Sequence, residues 1–424
     1  MRLLVNMIGL VSWLMLLPFA QAANTAQMLF DKYQNSVLQV VVIDVESGEK
    51  SSIGSGFLVQ QGDVVVSNYH VVASIIEEPD RYRLEYVTEQ GDTGQLTLLD
   101  IDIINDLAIL QHGKSIQHEH AFVLAQQRIS KGADIFSIGN PHDLGMSIIT
   151  GTYNGQPEHA LYQRILFSGS LNPGMSGGPA LNHLGEVIGV NVSTGGSGIG
   201  FLVPASYLVA LLQRVEQANQ QAINFAERIE SQLFKHQQMY IGDLLAQPWQ
   251  SKSLTQQLET PERIAKFIQC WGKSATGDDE DYNSVERTCA GQKSIYLGGD
   301  LRTGHLEYHI HLFKNRQLST LRFYNMYERS FSNHYSGFSA AAEDQLSERS
   351  CNSDLVQLGE HVWKVNFCSR RYLQYPSLYD VAVNMAATGQ ADQGVIANLR
   401  ISGCGQEEGL QLAKKFMESI TWKP

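Results

Sequence analysis

The sequence predicts an all-β fold, a barrel or a pair of sandwiches, followed by a helical connector and a separate α+β domain. Three observations lead there. Short β-rich runs crowd the stretch from Val37 to Val203, apolar residues recur at helical steps from Leu208 to Leu233, and all five cysteines lie in the last two fifths of the 424 residues. At roughly 150 residues per domain, this length accommodates two or three domains with cores of their own.

The β-rich runs are Val37 to Val45, Gly56 to Val59, Val64 to Ser67, Leu84 to Val87, Leu96 to Ile101, Leu107 to Gln111, Asp134 to Ile138, Ile148 to Tyr153, Leu161 to Ser168, Val187 to Val192 and Gly198 to Val203. Gly, Asp, Asn and Pro separate them, as turns between strands require. From Ser206 the period changes. Leu208, Leu211, Val215, Ala218, Ala222, Phe225, Ile229 and Leu233 fall on one stripe of a single long helix. That stripe packs either against a domain of the same chain or, as a near-heptad seam, between copies in a homo-oligomer. Glutamines accumulate around it, and Thr260-Pro261-Glu262 reads as a helix start. Beyond it, His305 to Phe313, Ser319 to Tyr327 and Val362 to Phe367 read as strands. Leu410, Ala413, Phe416, Met417 and Ile420 mark a last helix.

The expected domains are therefore a leader at 1–22, a β domain at 23–203, a helical connector at 204–260 and a cysteine-containing α+β domain at 261–424. The leader rests on Arg2, an apolar run from Met7 to Leu17, Pro18, and the small-residue pattern Ala20-Gln21-Ala22 before Ala23. It reads as a cleaved export signal, with an uncleaved anchor as the alternative. No later stretch is apolar enough to span a bilayer, so a soluble periplasmic or secreted protein is expected. In that compartment Cys270, Cys289, Cys351, Cys368 and Cys404 form two disulfides and leave one thiol, the pairing being open.

Composition excludes some classes. Hydrophobic residues make up 43% and charged residues 17%, which is globular and far from disordered. The net charge of −12 offers no global field for nucleic acid.

The chemistry sits in Asn172-Pro173-Gly174-Met175-Ser176-Gly177-Gly178-Pro179, a serine among glycines that let backbone amides approach a substrate. A serine hydroxyl needs a base, and the base needs an orienting group. His70 sits within the run Val64 to Ala73, at the end of a hydrophobic strand where a turn begins, and Asp106 precedes the apolar strand Leu107-Ala108-Ile109-Leu110. Asp100 and Asp102 lie near, but only Asp106 opens that strand.

These contexts, with Gly54-Ser55-Gly56-Phe57, Gly139-Asn140-Pro141 and Gly198-Ile199-Gly200-Phe201, resemble the trypsin-like serine proteases of the HtrA (Deg) type over roughly residues 35 to 210. The resemblance implies a chymotrypsin-like double barrel, six strands in each half, with His70 and Asp106 on the first barrel and Ser176 on the second. It implies a serine endopeptidase without cofactor or metal, acting on extended or unfolded polypeptides. Its catalytic residues would be His70, Asp106 and Ser176, its oxyanion hole the amides of Gly174 and Ser176. Ser170 would lie at the base of the pocket for the residue before the scissile bond, with Asn191 and Thr194 on its wall. No acid stands there, so small or medium apolar side chains fit better than basic ones. Met175 departs from the family's usual Asn or Asp, and no PDZ domain follows. The alternative is a catalytically weak or silent binding or regulatory protein on the same fold. His305, His309 and His311 alternate along one presumed strand and read as a polar strand face rather than a metal site.

Overall fold

The computed structural model describes residues 21–422 except 114–115, 119, 197, 219–222, 278–279, 292–293 and 335–342. Residues 1–20 of the expected leader lie outside the described residues. A helix α1 (Gln21–Tyr33) leads into the β domain.

Six strands, β1 (Val37–Asp44), β2 (Lys50–Val59), β3 (Val64–Ser67), β4 (Tyr82–Val87), β5 (Thr93–Asp102) and β6 (Leu107–His112), close a barrel in the order β1-β2-β3-β6-β5-β4. Closure removes every edge, and the β-branched stretches Val37 to Val42 and Val64 to Val66 pack on both faces. A short helix α2 (Tyr69–Glu77) follows β3.

The second half is a six-stranded antiparallel sheet of β7 (Asp134–Gly139), β8 (Ser147–Thr152), β9 (Ile165–Phe167), β10 (Pro179–Leu181), β11 (Val187–Gly196) and β12 (Ile199–Pro204), ordered β8-β7-β10-β11-β12-β9. A single bridge, Tyr153 to Phe167, links its two end strands. The chymotrypsin-like double six-stranded arrangement is present, with the second half less fully closed than the first. The run Leu161 to Ser168 contributes only three strand residues, Ile165–Phe167, and β10 had no strand signal among its neighbouring glycines.

The long helix expected from Leu208 to Leu233 is two helices, α3 (Ala205–Gln217) and α4 (Phe225–Ala246). The seam residue Ala222 lies outside the described residues. Asn224 caps α4 by accepting from the Glu227 amide at 3.3 Å, so a new helix starts there. Both helices dock on the first barrel through one acid: the buried Asp100 pairs with Arg214 of α3 at 2.6 Å and Arg228 of α4 at 3.4 Å. The stripe therefore packs within the chain. Leu208 and Leu211 join the core between the two β halves, while Ile229 and Leu233 join that of the first barrel. Each such fully buried side chain contributes about 1.5–3 kcal/mol.

A hairpin of β13 (Ser251–Ser253) and β14 (Leu258–Pro261) comes next, so Thr260-Pro261-Glu262 ends a strand rather than starting a helix. The last region is built on a seven-stranded antiparallel sheet. Its strands are β15 (Ile268–Ala275), β16 (Tyr282–Gly291), β19 (Leu306–Asn315), β20 (Ser350–Leu358), β21 (His361–Arg371), β22 (Tyr379–Ala387) and β23 (Gln393–Cys404). The small hairpin β17 (Ile295–Gly298) and β18 (Leu301–Thr303) interrupts it, and β24 (Thr421–Trp422) pairs with β14. One face of the sheet buries α6 (Gln406–Glu418) and the C-terminal half of α4, through Leu412, Phe416, Tyr240, Ile241 and Leu244. The other buries α5 (Thr320–His334).

Ser319 to Tyr327 is thus helical, not a strand. Phe323, Tyr327 and Phe331 recur every four residues and pack on Phe313 and Ile396, and that tertiary demand overrides the local β preference of the aromatic residues. The cysteines pair as cross-strand neighbours, Cys270 with Cys289 and Cys351 with Cys368, and Cys404 is left buried and free.

Candidate active site

His70 is the second residue of α2, held by the β3 strand that runs into it. Its backbone amide donates to Asp106 Oδ1 at 2.9 Å, and its Nδ1 lies 2.7 Å from Asp106 Oδ2. The carboxylate therefore caps the helix amide and orients the imidazole at once. Asp106 itself sits at φ +60°, a left-handed conformation that Asp tolerates better than most residues. Asp102 stabilises that turn by accepting from the Asn105 amide at 3.0 Å and side chain at 2.8 Å. Asn68 donates to the Asp106 carbonyl at 2.7 Å. Of the three neighbouring acids only Asp106 reaches His70, since Asp100 is spent on Arg214 and Arg228 and Asp102 on Asn105.

Burial pushes the His70 pKa down, but the Asp106 charge and hydrogen bond outweigh it. The net shift is upward, with the Arg302 charge opposing it.

Ser176 lies on the loop between β9 and β10. Its hydroxyl donates to the Val192 carbonyl at 3.4 Å, and no hydrogen bond among the described residues joins it to His70. The loop is tightly held. Met175 N donates to Asn172 O at 3.1 Å, Gly177 N to Asn191 O at 2.9 Å, and Ser55 N to Ser176 O at 2.7 Å. Between these committed groups the amides of Gly174 and Ser176 donate to no protein group among the described residues. Gly174 has φ +93°, and a Cβ there would stand 2.3 Å from Asn140 O, so only glycine fits.

Met175 is fully buried in the second half's core beside Ile135, Leu171 and Leu202. An acid at 175 would be desolvated in that apolar surrounding, which accounts for the departure at this position.

The expected pocket residues divide. Ser170 is exposed, between the buried Gly169 and Leu171. Thr194 is exposed on the cleft and organises the β11–β12 turn, accepting from Gly196 N at 3.1 Å and donating to Ile199 O at 3.3 Å. Asn191 does not line a pocket wall. Its side chain is fully buried, accepts from Ser137 Oγ at 2.8 Å, and donates to the carbonyls of Ile138 at 3.1 Å and Met175 at 3.2 Å. It clamps the serine loop to β7 instead.

The three histidines of β19 and its approach form a polar ladder. His305 and His309 face Glu307 at 3.2 and 3.6 Å, and Arg400 reaches the same carboxylate at 3.0 Å. These histidine hydrogen bonds hold the Glu307 pKa far below the usual carboxylate range.

Beside His70 opens a cleft of about 770 Å³, and six of its sixteen lining residues come from the last domain. Ile103, Ile104, Asp106, Val192, Ser193 and Thr194 face Ser294, Ile295, Tyr296, Arg302 and His305 across it. Nothing in the sequence pointed to Tyr296 or Arg302, because no local motif surrounds them. For Asn68 and Asn191 the only signal was proximity to the quoted motifs.

Comparison with known proteins places this geometry. Residues 54–190 match the family described as "Trypsin-like peptidase domain". The chain is 28% identical over 169 residues to human serine protease HTRA3, covering 38% of this chain and 37% of that protein. It is 29% identical over 185 residues to a probable periplasmic serine endoprotease DegP-like of Marinomonas sp., covering 40% and 37% respectively. The crystal structure of Deg5 aligns over 45% of this chain and 94% of that one, with 24% identity and a TM-score of 0.40. The chain thus spans well under half the length of these two curated relatives, and the family match ends at residue 190. Residues 54–190 of the β domain thus match trypsin-like peptidase domains, and the curated relatives the chain resembles are proteases of the HtrA (Deg) type.

Proposed function

We propose that the protein is an exported serine endopeptidase that cleaves extended or unfolded polypeptides. The observation that carries this reading is the His70–Asp106 pair set beside a serine loop whose Gly174 and Ser176 amides are unspent.

In the proposed reaction Ser176 Oγ attacks the peptide carbonyl while His70 Nε2 takes its proton. Nε2 is free to accept that proton because the 2.7 Å contact with Asp106 keeps the ring's own proton on Nδ1. Asp106 also stabilises the imidazolium that forms. The Gly174 and Ser176 amides receive the oxyanion, and His70 returns the proton to the leaving amine, leaving an acyl-enzyme that water then hydrolyses. The Ser176 hydroxyl leaves the Val192 carbonyl to do this, and at 3.4 Å that bond is weak.

Substrate strand pairing is supported by β11. Its partner β10 stops at Val190, while Ser193 to Gly196 run on, exposed and paired only with β12. An extended peptide laid along that free edge gains backbone hydrogen bonds without regard to sequence. Ser170, with no acid near it in sequence, suits a small or medium apolar residue before the scissile bond.

A second reading, a silent protease-fold binding protein, draws on the same Val192 bond, which leaves Ser176 unconnected to its base. A fluorophosphonate probe separates the two. Labelling at Ser176 that Ser176→Ala and His70→Ala each abolish supports the peptidase, whereas a folded protein that takes no label supports the silent reading. Export is part of the proposal and rests on residues 1–22 and the two disulfides. No helix among the described residues is long and apolar enough to cross a membrane.

A further inference from the structure

The hairpin β17–β18 reaches out of the second domain and stands against the catalytic histidine. It is held there from both sides. On the protease side Ile295, Leu297 and Leu301 are buried in the core of the first barrel, and Tyr69 Oη donates to the Leu297 carbonyl at 2.5 Å. On the other side Tyr372 Oη donates to Asp380 Oδ1 at 2.7 Å and accepts from Thr303 Oγ1 at 3.0 Å, and the other Asp380 oxygen takes Arg370 at 2.9 Å.

This anchoring fixes two side chains at the cleft. The Tyr296 ring meets His70 edge-on, with centroids 6.4 Å apart and planes at 89°. The Arg302 guanidinium lies 5.3 Å over the Tyr296 ring. Arg302 makes no ion pair with any described residue. The other cation of the cleft, Arg164, donates to the carbonyls of Gln163 at 2.9 Å and Asn105 at 3.3 Å, which carry no charge. Of the acids, Asp106 is committed to His70, and Glu307 to His305, His309 and Arg400. The charged residues lining the cleft are Arg164, Arg302 and Asp106, with Asp102 acting on Arg164 and Glu77 on Tyr296 from outside the lining.

We propose that Tyr296 and Arg302 form a specificity subsite, supplied by the second domain, that selects polypeptides with an acidic side chain on the acyl side of the scissile bond. This deepens the peptidase reading and rests on it for the word substrate, but the binding it describes does not require turnover. The substrate residue that packs on His70 also meets the Tyr296 ring, and its carboxylate meets the Arg302 fork. The selection is electrostatic and weakens with salt.

The test uses the full chain carrying Ser176→Ala and fluorescent extended peptides in which Glu, Gln or Lys is scanned through the positions before a central Val. Expected at low salt is a preference of roughly five- to tenfold for Glu over Gln at one position. Arg302→Gln removes it, Arg302→Glu converts it into a preference for Lys, and Arg322→Glu on α5, with the same change in net charge, leaves it in place. Equal affinity for all three peptides, no binding at all, or a preference that Arg302→Glu leaves unchanged would overturn the subsite. Cleavage of the same peptides by the Ser176 protein is read separately. Charge-selective binding without cleavage rejects the peptidase reading and keeps the subsite, and cleavage indifferent to charge does the reverse.

Discussion

Tyr69 and Leu297 are 228 positions apart in the sequence, yet the Tyr69 hydroxyl donates to the Leu297 carbonyl at 2.5 Å in a buried contact. Tyr69 immediately precedes His70, so the second domain is bonded to the residue beside the proposed base. Tyr69→Phe leaves that carbonyl buried without its donor and is expected to cost about 1–3 kcal/mol. Urea unfolding of the two proteins measures it. An unchanged midpoint would mean that the hairpin is not held through this bond.

The pH dependence of turnover follows from the His70 environment. The base works only when neutral. A raised His70 pKa means that activity falls as pH drops through a value above the ordinary 6.5. Asp106→Asn removes the groups that raise it and is expected to move the acid limb of kcat/KM downward while reducing kcat by about 10⁴-fold. Arg302→Gln removes an opposing charge and should move the limb upward. Rate profiles of the three proteins on one neutral peptide check the signs.

Gly174→Ala places a Cβ 2.3 Å from the Asn140 carbonyl at φ +93°, so the loop has to shift and its free amide turns away. Loss of one oxyanion donor predicts a fall in kcat of roughly 10²–10³ with little change in KM. Fluorophosphonate labelling should slow in parallel. Unimpaired labelling would place the oxyanion donors elsewhere.

Cys404 is fully buried, and burial pushes its thiol pKa upward. Alkylation of the native protein is therefore expected to modify no cysteine, denaturation without reductant to expose one, and denaturation with reductant all five. Peptide mapping should recover Cys270 with Cys289 and Cys351 with Cys368. Removing either bridge, whose cysteines are 19 and 17 positions apart, should cost about 3 kcal/mol.

The β domain was readable before any coordinates because its signals are local. Strand-length β-branched runs between turn residues mark the barrel, and His70, Asp106 and Ser176 each stand in a short motif whose immediate neighbours reveal it. The roles that escaped depend on what a side chain meets after folding. Asn191 looked like a pocket residue by position, but β11 turns it inward, where its amide donates to the buried carbonyls of Ile138 and Met175. Ser319 to Tyr327 carries aromatics that suit a strand or a helix, and only the sheet beneath, offering Phe313 and Ile396, selects the helix. The stripe after Leu208 is one helix by periodicity and two by packing, since Arg214 and Arg228 must both reach Asp100.

Sequence alone determined the strand-rich first half, the His, Asp and Ser in that order, the surplus cysteine and the break between the two compositional regions. Each follows from residues close together in the chain, where steric preference, hydrophobic period and turn chemistry operate over a few positions. The tertiary structure decided that the second domain joins the site rather than trailing behind it. Ile295, Tyr296, Leu297 and Arg302 have no motif of their own. They acquire meaning only when burial of their apolar members against the first barrel brings a ring and a guanidinium to His70, a contact between distant segments that local patterning does not encode.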